Sequence, residues 1–70
     1  MTKWNRRNLA IEESPLWAYE TRDDMGGLIR ITRNNLHPAT PWKVHHFERH
    51  QTRFESTLRE AKRIAEARWL

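Results

Sequence analysis

Four histidines, His37, His45, His46 and His50, are the side chains of this chain best suited to chemistry near neutral pH. The four-residue spacing of His46 and His50 would place two imidazoles on one face of a helix, an arrangement that suits a metal ion. The residues around them read as a strand instead. Trp42, Val44 and His46 alternate with Lys43, His45 and Phe47, so His45 and His46 project to opposite faces. The absence of Cys excludes a disulfide framework, a thiolate zinc site and a Cys nucleophile. Paired carboxylates, a glycine-rich phosphate loop and a Ser/His/Asp arrangement are not apparent, and 70 residues leave little room for a cavity that excludes water. The expectation is a binding protein and not an enzyme, with no catalytic residue, no bound metal and no cofactor. The histidines then serve as hydrogen-bonding groups that gain charge below about pH 6.5.

The cations carry more information. Thirteen Lys and Arg against nine Asp and Glu give a net charge of +4. Ten of the 13 are Arg, whose planar fork suits phosphate and carboxylate partners. Residues 27–54 hold five basic groups and one acidic group, which concentrates the surplus in the middle of the chain. If Ile29 and Ile31 face a core, Arg30 and Thr32 face away. By the same alternation Lys43, His45 and Phe47 share their side with Ala18, Glu20 and Arg22. A face bearing Arg22, Arg30, Lys43 and His45 around Phe47 offers donors for phosphates and base edges and an aromatic for stacking or methyl contact. Arg6 and Arg7, in the stretch Lys3-Trp4-Asn5-Arg6-Arg7, extend that set if the N-terminus acts as a basic arm. The same terminus could instead lie with Trp4 tucked onto the domain. Double-stranded DNA is one partner class these residues fit. The other is a host protein, because exposed Trp, Phe and Arg dominate interface hot spots. A charged sheet face that is merely solvated shows the same alternation.

The elements that would position these residues can be read in order. Residues 1–15 match neither a helical nor a strand period and are expected to form a basic arm that ends at Ser14-Pro15. Residues 16–70 are expected to form a single domain. Leu16–Arg22 alternates as a strand, Asp23–Gly27 supplies the residues of a tight turn, and Leu28–Arg33 alternates again, giving a β-hairpin. The two prolines between residues 34 and 41 mark a loop, and Trp42–Arg49 reads as a third strand. Thr57 and Glu60 form a capping-box pair ahead of a helix whose stripe is Leu58, Ala61, Ala65 and Trp69. The expected fold is therefore α+β: a three-stranded antiparallel sheet packed by one C-terminal helix, with an N-terminal arm. Its expected core is Trp17, Tyr19, Ile29, Ile31, Trp42, Val44, Leu58, Ala61, Ala65 and Trp69, with Phe54 plugging one end.

The run Phe54-Glu-Ser-Thr57-Leu-Arg-Glu60-Ala61-Lys-Arg-Ile-Ala65, placed after three strands, resembles the strand-to-helix end of AP2-type DNA-binding domains and of the arm-binding domains of tyrosine integrases. That resemblance implies a three-stranded sheet laid in the major groove. The layout is also similar to that of small phage-encoded proteins, which fits either partner class. No stretch approaches the roughly 20 apolar residues of a membrane span, and the N-terminus lacks the apolar centre of a signal peptide. A cytoplasmic protein without a membrane partner is expected.

Overall fold

In the computed structural model, residues 2–9, 17–34 and 37–70 are described. Their elements run β1 (Asn5–Asn8), β2 (Trp17–Arg22), β3 (Leu28–Arg33), β4 (Trp42–His46), β5 (Gln51–Glu55) and α1 (Leu58–Trp69). The strands form one antiparallel sheet in the order β1-β2-β3-β4-β5. The class is α+β as expected, but the sheet has five strands and not three.

Both additional strands are edges, and both come from segments without an apolar period. Asn5–Asn8, expected as part of an arm, pairs with β2 through Arg6↔Tyr19 and Arg7↔Ala18. All four of its residues are exposed. Gln51–Glu55 pairs with β4, with Val44↔Arg53 and His46↔Gln51 in register. An edge strand is held by backbone hydrogen bonds on one side only, so it needs no alternation of apolar residues, and Arg on an edge discourages further pairing. The expected third strand ends at His46, three residues early, because the β4–β5 connection occupies 47–50. His50 closes that connection with φ 52°, a conformation usually left to Gly or Asn.

The helix begins as its sequence suggests. The Thr57 hydroxyl accepts from the Glu60 N–H at 3.1 Å. The Glu60 carboxylate does not complete the capping box; it pairs with Arg63 one turn on. Burial of Ala61, Ala65 and Trp69 brings the helix onto β3, β4 and β5, where Ile29, Ile31 and Val44 complete the core. Each of these fully buried aliphatic side chains stabilises the fold by about 1.5–3 kcal/mol. Trp4, Tyr19, Trp42 and Leu58 pack around that core while partly buried. The indole N–H of Trp4 donates to Glu66 of the helix at 2.8 Å, which ties the N-terminal residues to the domain.

Two core expectations are corrected. Trp17 is 41% exposed, because the helix does not reach over β1 and β2, and the Arg6 guanidinium lies 4.4 Å from its ring centre. Phe54 does not plug the helix side. Its register with Lys43 turns it to the opposite face, where its ring meets His37 at 4.1 Å. Among the described residues no helix is long and apolar enough to cross a membrane.

Candidate nucleic-acid interface

The sheet face that the helix does not cover is built in three cross-strand rows. Arg22 lies beside Leu28, whose carbonyl accepts from the Phe47 N–H. The next row runs Asn5, Glu20, Arg30, His45 and Thr52. The third runs Arg7, Ala18, Thr32, Lys43 and Phe54. Register thus brings Arg7, Arg22, Arg30, Lys43 and His45 onto one face, and Phe47 joins them through its ring contacts with Arg30 and His45. Arg30, Thr32, Lys43, His45, Phe47 and Leu9 surround a shallow depression of about 250 Å³.

Arg6 does not join them. Its register with Tyr19 sends it to the helix side of the sheet, where it stacks on Trp17. An arm could have presented Arg6 and Arg7 together, whereas a strand must separate them.

Glu20 organises the cations around it. Its carboxylate accepts from Arg30 Nε at 2.5 Å and lies 3.8 Å from Arg7 Nη1. This single carboxylate offsets part of the positive charge and holds Arg30 against the Phe47 ring, 5.1 Å from its centre. Phe47 also meets His45 edge-on at 4.5 Å. His45 Nδ1 lies 2.7 Å from the Thr52 hydroxyl. Arg22, at the margin, donates to the Gly26 carbonyl at 2.8 Å and is otherwise open to solvent. Thr32, expected on this face, and Thr52 add hydroxyls able to donate and accept, and only the register of β5 shows that Thr52 shares the face.

Partial burial, followed by the charges of Lys43 and other neighbours including Arg30, holds the His45 imidazole below its usual range. The folded state therefore favours neutral His45, with one ring nitrogen able to donate and the other to accept. Since its folded pKa lies below the unfolded value of 6.5, the unfolded chain takes up the proton first as pH falls. Its contribution to stability is complete above that value and declines as pH drops through it. We expect the urea midpoint to fall between about pH 7.5 and about pH 5.5. His45→Gln should have a shallower decline, and an identical slope in the variant would refute the assignment to His45.

One further His has a carboxylate partner, and its geometry is structural. His46 is fully buried, with Nε2 2.7 Å from Asp23 Oδ2 and Nδ1 accepting from the Arg49 N–H at 3.2 Å. Both ring nitrogens are thus engaged within the protein. The other Asp23 oxygen accepts from the backbone N–H groups of Met25 and Gly27, at 3.0 and 2.7 Å. The His46 hydrogen bond, then the Gly27 one, holds the Asp23 carboxyl below its ordinary range. This arrangement fixes the β2–β3 turn against β4. It also explains Gly27, where a Cβ would stand 2.8 Å from His46 Cε1.

Among the described residues no group of three or more His, Cys, Asp or Glu is placed to hold a metal ion. No protein-family model matches this chain, and no curated protein or solved structure matches it.

Proposed function

We propose that this protein binds double-stranded DNA through the helix-free face of its sheet, as a non-enzymatic cytoplasmic protein. The observation that supports this most is the gathering of Arg7, Arg22, Arg30 and Lys43 on one face against, among the described residues, a single carboxylate, Glu20. Arg22 and Lys43 take phosphates on either side of the central row, with Arg7 extending the path along β1. Phosphate contacts fix position, and sequence is read from groups that reach base edges. Arg30, His45, Thr32 and Thr52 supply donors and acceptors of that kind, and Phe47 supplies the apolar surface that a thymine methyl meets.

Four cations less one carboxylate leave about three phosphates to neutralise, so the logarithm of affinity should fall with the logarithm of salt with a slope of about −3. Fluorescence anisotropy of a labelled duplex across a salt series measures this directly. Absence of binding at low salt, or a slope near zero, would refute the proposal. Salt-insensitive capture of a protein would favour the apolar-interface alternative, for which the exposed Trp17 is the main support.

A further inference from the structure

On the opposite side of the sheet the helix covers β3 to β5 and leaves β1 and β2 as a shelf along its flank. Two strands at the usual spacing make that shelf about 10 Å wide, the width of one extended chain. At the end of the shelf away from the β2–β3 turn, cations and rings alternate across the strands. Arg6 lies 4.4 Å from the Trp17 ring centre, Arg33 lies 5.8 Å from that of Trp42, and Lys62 of the helix lies 4.8 Å from that of Tyr19. Trp42 is the direct partner of Arg33, and Trp17 sits one step past the Ala18↔Thr32 pair, on the other side of Arg33. The row Trp17, Arg33, Trp42 is thus ring, cation, ring. Arg59, one turn before Lys62, shares its flank of the helix.

Among the described residues cations outnumber carboxylates around this shelf: Arg6, Arg33, Arg59 and Lys62 stand against Glu66, which accepts from the Trp4 indole, and Glu55, which pairs with Arg53. A cation resting on a ring keeps its N–H groups for a further partner, and an exposed indole offers a surface for a base. From these features we propose that the shelf binds single-stranded nucleic acid, with bases stacking at Trp17 and the phosphates running past Arg6, Arg33 and Lys62. Rings interleaved with cations suit a chain that alternates flat bases with phosphates, and stacking on them requires no particular sequence. The site is separate from the duplex-binding face and does not depend on it.

Anisotropy of a short labelled oligothymidylate at low salt tests the site, with wild type, Trp17→Ala, Arg6→Gln and Lys43→Ala compared. We expect binding by wild type and by Lys43→Ala, and a weakening of about tenfold in Trp17→Ala. Arg6→Gln, on an exposed edge strand, keeps the test valid should Trp17→Ala fail to fold, and it should weaken binding several-fold. Undetectable binding by wild type, or unchanged affinity in Arg6→Gln, would overturn the proposal. Loss of binding in Lys43→Ala alone would also overturn it, since the strand would then occupy the open face. Displacement of the oligonucleotide by polyglutamate at equal charge would show a general anion surface and would overturn it as well. Duplex binding is read separately with the duplex probe.

Discussion

Trp69→Ala is expected to leave the protein largely unfolded near body temperature, with its near-UV circular dichroism and its cooperative melt lost. Trp69 is the last residue of α1, where a helix would ordinarily fray. It is nevertheless 8% exposed, because Ala61 and Ala65 open the space beside it and its indole N–H donates to Gln51 of β5 at 3.0 Å. Its ring also meets the buried His46 edge-on at 5.2 Å. Removing such a ring from a core costs about 3–5 kcal/mol. One core in a chain of this size rarely supplies more than about 3–5 kcal/mol in total. Trp69→Phe keeps the ring but forfeits the bond to Gln51 and should fall between. A Trp69→Ala variant that melts like the wild type would show that the helix C-terminus contributes little to the fold.

His46→Phe is the second change expected to have a large effect, although it exchanges one ring for another of similar size. The Arg49 N–H would lose its acceptor, and the Asp23 carboxylate would face an apolar ring in place of a donor. Leaving a buried polar group without a partner costs about 1–3 kcal/mol, and loss of the Arg49 N–H acceptor should lower stability in urea unfolding within that range. Because His46 touches Trp69, the two substitutions should not be additive. Acid should act on the same contact. The folded pKa of Asp23 lies below the unfolded 3.8, so its contribution is complete above that value and is lost as pH falls through the folded one. If His46→Phe is as stable as wild type, the pair with Asp23 does not hold the turn.

The comparison of sequence with structure turns on where each residue finds its partners. Ile29, Ile31 and Val44 reveal their strands because each must bury one face, and Leu58, Ala61, Ala65 and Trp69 reveal the helix for the same reason. Asn5–Asn8 is exposed throughout and Gln51–Glu55 over its first three residues, so their pairing is written in the backbone and in the strands they join. That is why a five-stranded sheet reads as three strands with a basic arm. The open face was legible from period alone for Arg22, Arg30, Lys43, His45 and Phe47. Arg6 was misplaced, because recognising Asn5–Asn8 as a strand is what separates it from Arg7. The exposure of Trp17 depends on which strands the helix covers, a tertiary fact that no local pattern carries. The partnership of His46 with Asp23 spans 23 residues and needed the β3–β4 register to appear.

The measurement that tests the central claim most directly is duplex binding by Arg22→Ala/Lys43→Ala, set beside Arg63→Ala/Arg68→Ala as a control that removes the same charge from the helix. If the helix-free face binds DNA, the first variant should lose at least about tenfold in affinity at low salt and show a salt slope shallower by about 2. The control should stay close to wild type, and both should melt as wild type does. Equal losses in the two variants would mean that net charge alone attracts DNA, and an unchanged affinity in Arg22→Ala/Lys43→Ala would contradict binding through this face.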